Sequence, residues 1–166
     1  HEGYLLPMAA VESFEHLKQR FSFTKKEDLF RHGNTVYKMS IMSRDPETLS
    51  AVRRELYENV DDLAVVSSDA TNLEITHIEA QKGTALIHYA FYRGIGLHEI
   101  MALGDSENDH SMLSLQLGYT LSMENGADIV KKTARCQTRS NEEDGVAYAI
   151  ETLILSQPAQ KARRLG

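Results

Sequence analysis

Six consecutive residues, Gly104-Asp105-Ser106-Glu107-Asn108-Asp109, set three carboxylates and one amide directly after an apolar run, Ile100-Met101-Ala102-Leu103. Carboxylates this close repel one another unless something cationic lies among them. Hard oxygen donors that leave room for waters suit Mg²⁺. In open α/β sheets, ligands bind outside the carboxyl ends of the strands, where Asp105 would stand. A simpler reading competes with this one. Asp and Asn at a helix start are favoured by capping and by the helix dipole. For the cluster taken alone, capping is the better account. A calcium loop fits poorly, because His110 occupies the sixth position, where the turn needs glycine, and no Glu falls at the twelfth.

Lys82 shifts the balance toward chemistry. It sits at the start of a helical stretch, where the dipole disfavours a cation. Helix N-termini attract phosphate, and a shared anion makes such a lysine tolerable. Lys82-Gly83-Thr84 is not a P-loop, since the upstream glycine is missing. Lys82 together with the acidic loop suggests a site that handles a phosphate and a metal at once.

The elements that must hold these residues fall into two parts. In the first, Met8, Val11, Phe14 and Leu17 mark a helix within Pro7 to Arg20, and Thr24 with Glu27 resembles a capping box. A strand is expected within Asn34 to Ser43, and a helix from Asp45-Pro46 to about Asn59. Two strands follow, Leu63 to Ser67 and Leu73 to His77, joined by a hairpin turn at Ser68 to Asn72. In the second part, helices and strands alternate. Helices are expected at Lys82 to Arg93, Asp109 to Leu117, Asp128 to Ala134 and Gly145 to Leu155, the last with a Ser140–Glu143 capping box. Strands are expected at Ile100 to Leu103 and Tyr119 to Met123, with a short extended piece at Arg135 to Thr138. Such alternation implies a parallel sheet with helices on both faces. The boundary is placed near Ile78 to Gln81, giving an α+β unit over 1–78 and an α/β unit over 79–166.

Composition narrows the function classes. The 166 residues carry a formal net charge of −6, so the basic face of a nucleic-acid binder is not expected. No run approaches the roughly 18 apolar residues of a membrane span. The single cysteine, Cys136, cannot form an internal disulfide. A cytoplasmic protein acting on a small molecule is the expectation.

Lys82-Gly83, the Gly104 to Asp109 segment with Met112-Leu113, then Met123-Glu124-Asn125, and finally Ser140 to Val146 resemble, in that order, the haloacid dehalogenase (HAD) superfamily, and within it the Cof-type phosphatases with a large α/β cap. The resemblance implies a partial Rossmann-like core over 79–166 and a cap over 1–78. It implies that Asp105 ligates Mg²⁺, that Asp109 supports the metal site, that Lys82 contacts the transferring phosphoryl group, and that Asn108 lies near the substrate phosphate. Lys82, Asp105 and Asp109 would form the catalytic set, and Asn125 and Asn141 would shape nearby loops. The implied substrate is a small phosphorylated metabolite, such as a sugar phosphate. Two positions depart from the family pattern: Gly126 stands where alanine is usual, and His110 where an apolar residue is common.

The family's nucleophile belongs to an Asp-x-Asp motif after an apolar strand, and these 166 residues contain no such motif. The expectation is a C-terminal portion of a longer phosphatase, inactive alone, with a sheet edge at Ile100 to Leu103 open to self-association. The alternative is a non-catalytic remnant that keeps metal or phosphate affinity, or an interaction module.

Overall fold

A computed structural model describes residues 36–156, together with two short strands, β1 (Gly3–Tyr4) and β2 (Ser22–Phe23), which pair in parallel. The helix expected within Pro7 to Arg20 and the Thr24–Glu27 box lie outside the described residues.

The first sheet contains β3 (Met39–Met42), β4 (Leu63–Val66) and β5 (Asn72–His77), antiparallel, in the order β3-β5-β4. The expected strand at Asn34 to Ser43 is therefore shorter. Helix α1 (Pro46–Asn59) begins where the Asp45 carboxylate accepts the N–H groups of Glu47 and Thr48, at 3.1 and 3.3 Å, with proline in the first turn. One face of α1 lies on the sheet, burying Leu49 with Val65, Leu73 and Ile75. Alternation along β5 sends Leu73 and Ile75 to this core, which leaves Glu74 on the opposite face. The turn between β4 and β5 closes on side chains: Asn72 Oδ1 accepts Ser68 N–H and Asp69 N–H, and Asp69 Oδ1 accepts Thr71 N–H.

After α2 (Lys82–Arg93), which ends on Gly94 at φ +65°, a parallel sheet runs β6 (Met101–Gly104), β7 (Tyr119–Ser122), β8 (Cys136–Gln137). Ala102, Leu113, Leu117 and Val130 form its core with Leu86 and Ile100. Helix α3 (His110–Leu113) is shorter than the expected Asp109 to Leu117, and a 3₁₀ turn over Glu107–Asp109 precedes it. The chain leaves the helix early because Gly118 N–H bonds Leu97 O and Tyr119 N–H bonds Ile100 O, which starts the β6–β7 register at once. A side chain at Gly118 would overlap the His98 carbonyl.

Helix α4 (Asp128–Thr133) matches expectation within a residue. The Ser140–Glu143 box does not form. The Ser140 hydroxyl donates to the Glu143 carboxylate at 3.1 Å, and it is the Ser140 carbonyl that accepts the N–H groups of Glu143 and Gly145. Asp144, at φ +53°, breaks the run, so α5 (Gly145–Ile150) starts afresh and widens into a π-helical turn over Glu151–Leu155. Among the described residues no helix is long and apolar enough to cross a membrane.

Leu73 and Leu113 are 2 % and 1 % exposed and anchor the two cores separately. Leu73→Ala and Leu113→Ala are each expected to cost about 2–5 kcal/mol, read as a lowered midpoint in urea unfolding.

Candidate active site

The acidic loop leaves β6 at Gly104 and folds back on itself. A Cβ at Gly104 would overlap the Asp109 side chain, so glycine lets Asp109 tuck beneath the loop. Asp109 is 6 % exposed. Its Oδ2 accepts the N–H groups of Asp105 at 3.0 Å and Ser106 at 3.2 Å. Its Oδ1 meets Lys82 Nζ at 2.5 Å. Lys82 Nζ also donates to Asn108 Oδ1 at 3.0 Å.

Lys82 stands on the first residue of α2, and α2 lies hard against α3. Gly83 N–H donates to Ser111 Oγ at 3.1 Å, and a Cβ at Gly83 would overlap the Ser111 carbonyl. That close approach sets the height of the lysine over the loop. Lys82, Asn108 and Asp109, separated by 26 and 27 positions in sequence, are thus brought into one contact group.

Asp105 faces outward. Among the described residues its carboxylate meets only the neighbouring Ser106 hydroxyl, at 3.2 Å, whose one proton is shared with the Ser68 carbonyl. Its carbonyl accepts Ala127 N–H at 2.7 Å. Gly126 packs on this backbone: a Cβ there would lie 2.9 Å from the Met123 carbonyl and 3.2 Å from Asp105 Cα. Glycine in place of the usual alanine therefore relieves a tight contact beneath Asp105. Asn125 Oδ1 accepts Asn141 N–H at 3.0 Å, so these two asparagines join the loops that follow β7 and β8.

The donor set fits a divalent cation in part. Asp105 offers a solvent-facing carboxylate, whereas both Asp109 oxygens are committed to Lys82 and the loop N–H groups. That geometry suits Asp109 to supporting a metal rather than touching it. Among the described residues, no three His, Cys, Asp or Glu side chains converge on a possible metal position.

The loop has a second face, and sequence reasoning missed it. Glu107 pairs with Arg53 through two nearly parallel contacts, Nη1–Oε1 at 2.6 Å and Nη2–Oε2 at 2.7 Å. Ser67 N–H donates to Glu107 Oε2 at 2.9 Å, and Arg53 Nη2 donates to Ser67 Oγ at 2.9 Å. Asn108 N–H bonds Ser67 O, and Ser106 Oγ donates to Ser68 O at 3.0 Å. Asn108 Nδ2 reaches Glu74 Oε2 at 3.4 Å, where Lys38 Nζ sits 2.9 Å from the same oxygen. Arg53 is 54 positions from Glu107, so no local spacing could have announced the pair.

Burial alone would raise the carboxyls of Glu107 and Glu74. Arg53 and Ser67 overrule it for Glu107, as do Lys38, Asn108 and Ser68 for Glu74, and both are held below the ordinary value of 4.5.

A lysine at a helix start, tied to an acidic loop at the carboxyl end of a parallel strand, is an arrangement of α/β folds that bind ligands at that end of the sheet. The profile of the haloacid dehalogenase-like hydrolases matches residues 4–150, and the chain belongs to that family. A 5-amino-6-(5-phospho-D-ribitylamino)uracil phosphatase of Bacillus subtilis is 38 % identical over 133 residues, covering 80 % of this chain and 46 % of the relative. The solved structure of a haloacid dehalogenase-like hydrolase from B. subtilis superposes with a TM-score of 0.73 at 32 % identity, over 86 % of this chain and 51 % of that one. A HAD subclass IIB sugar phosphatase shares the fold, with a TM-score of 0.74 at 20 % identity, over 90 % and 55 %. The chain spans about half the length of the curated relatives it matches.

A carboxylate whose folded-state pKa is depressed contributes stability that is fully present above its unfolded value and is lost as pH falls through the folded one. The Glu107–Arg53 tie is therefore complete at neutral pH and fails progressively below 4.5. Urea midpoints measured from pH 7 downward should fall less steeply for Glu107→Gln than for the parent chain, with the residual acid dependence belonging in part to Glu74. Equal slopes would show that the tie contributes nothing.

Proposed function

We propose that this chain supplies the lysine, the metal-binding aspartate and the phosphate-facing asparagine of a Mg²⁺-dependent phosphatase acting on small phosphorylated metabolites. The observation that carries the reading is the convergence of Lys82, Asn108 and Asp109 beside an outward-facing Asp105. Lys82 reaches the phosphoryl oxygens from the start of α2, with Asp109 holding its ammonium in place. Asn108 offers an amide hydrogen to the same group. Asp105 provides the carboxylate for the cation, which when bound would offset charge on the phosphoryl oxygens. Preformed donors of this kind lower the barrier without reorganising during reaction.

In this reading, hydrolysis proceeds by attack of an aspartate on phosphorus, giving an aspartyl-phosphate that water then cleaves. No Asp-x-Asp occurs among these 166 residues, so the nucleophile is assigned to residues outside them. The 1–78 unit is assigned as cap and 79–166 as core. Relatives at 38 % and 37 % identity are named for a phosphorylated ribityl substrate, which favours a polyol or sugar phosphate here. The bidentate tie to Arg53 fits a cap that closes on the acidic loop.

The complete gene product, assayed with Mg²⁺ on p-nitrophenyl phosphate and a panel of sugar phosphates, should turn over and should lose activity on chelation or in Asp105→Asn. Lys82→Ala should lower kcat by about 100-fold or more. Retention of full activity by both variants would sink the assignment. The 166-residue chain alone is expected to be silent, and turnover by it that Asp105→Asn abolishes would show that it needs no outside nucleophile.

The β6 edge facing away from β7 has no partner strand among the described residues, and Phe91 and Tyr92 on α2 are 88 % and 83 % exposed. We assign the open β6 edge to pairing with another polypeptide, a second copy included. Light scattering should find the isolated chain associated, and a monodisperse monomer would contradict it.

A further inference from the structure

We propose that Glu74 is a positioning residue that fixes which way the Asn108 amide points. This rests on the reading that Asn108 faces the phosphoryl group, and extends it to a residue of the antiparallel sheet. An asparagine amide can sit in either of two orientations, and its neighbours decide between them. Here they agree. The Lys82 ammonium offers only donors, so it takes Oδ1, at 3.0 Å. The Glu74 carboxylate offers only acceptors, so it takes an Nδ2 hydrogen, at 3.4 Å. The second Nδ2 hydrogen then remains available for an anion. In the reversed orientation the oxygen would confront Glu74, and the NH₂ group would confront the ammonium.

Glu74 is itself immobilised. Its side chain is 16 % exposed, its Oε2 lies 2.9 Å from Lys38 Nζ, and its Oε1 accepts Ser68 Oγ at 3.1 Å. Ser68 Oγ in turn accepts Asn72 Nδ2 at 2.7 Å. A carboxylate near a phosphate site would by itself repel the ligand, and Lys38 offsets that charge. Strand alternation aims Glu74 away from the Leu73–Ile75 core and toward the loop, so its rigidity derives from the sheet. The sheet unit thus acts on the amide as well as on the loop backbone.

The test uses the 166-residue chain with Glu74→Ala and Glu74→Gln, followed by ¹H–¹⁵N NMR of the Asn108 side-chain amide. In the parent, one Nδ2 proton should be displaced downfield by the carboxylate. Glu74→Ala should abolish that displacement, and Glu74→Gln, which keeps an acceptor oxygen, should retain a reduced one. An Asn108 amide unmoved in Glu74→Ala, with β5 backbone resonances intact, overturns the proposal. Should Glu74→Ala disturb β5, an unchanged Asn108 amide in Glu74→Gln overturns it instead. Titration with Mg²⁺ and inorganic phosphate separates the two readings. Phosphate should shift the Asn108 amide of the parent chain. An amide that answers to Glu74 but is indifferent to phosphate supports the positioning role and removes the phosphate contact on which the broader reading depends.

Discussion

Burying a carboxylate is unfavourable by several kcal/mol unless its oxygens find donors, and Asp109 shows how the loop meets that demand. Two backbone N–H groups and one ammonium surround it, so nearly every acceptor position is used. The donors come from two features of the site. The N–H groups of Asp105 and Ser106 fix the path of the loop, and Lys82 ties the loop to α2. Because charged acceptors strengthen these bonds, one side chain holds the outward aim of Asp105 and the reach of Lys82 together. Glycine at 104 is the steric condition for that arrangement, since any side chain there would occupy the space of Asp109.

The same loop is gripped from the other side by α1 and the antiparallel sheet it covers. Arg53 engages Glu107 with the planar fork that lysine could not reproduce, and Ser67 closes the contact from the backbone. Ser106, Glu107 and Asn108 all bond this unit, while the Asn108 Oδ1 and Asp109 Oδ1 atoms meet Lys82. The loop conformation is therefore determined by both units of the chain. A change in how they sit would be felt at Asn108, whose backbone and amide both touch the sheet.

Close backbone contacts set the scale of the site. Gly83 lets α2 press on α3, and Gly126 lets the segment after β7 press on Asp105. Interiors packed this densely transmit small displacements rather than absorbing them. The lysine and the aspartate are thus held to the framework of the parallel sheet, with the Asp105 side chain left exposed.

Much of this was legible in the chain itself. Apolar periodicity located α1, α2 and the strands, because those signals depend on near neighbours. The ordered landmarks from Lys82 to Val146 carried the family, which the profile match over residues 4–150 bears out. Local chemistry also misled where a longer-range contact prevailed. The stretch from Asp109 to Leu117 reads as one helix, but pairing of β7 with β6 ends it at Leu113. Ser140 and Glu143 have the spacing of a capping box, yet the left-handed Asp144 turns the hydroxyl to another use. Arg53, Glu74 and Lys38 carry no motif at all. Their part in the site exists only because α1 and the antiparallel sheet bring Arg53 and Glu74, 54 and 34 positions away, against a loop whose own residues announced it, with Lys38 acting through Glu74.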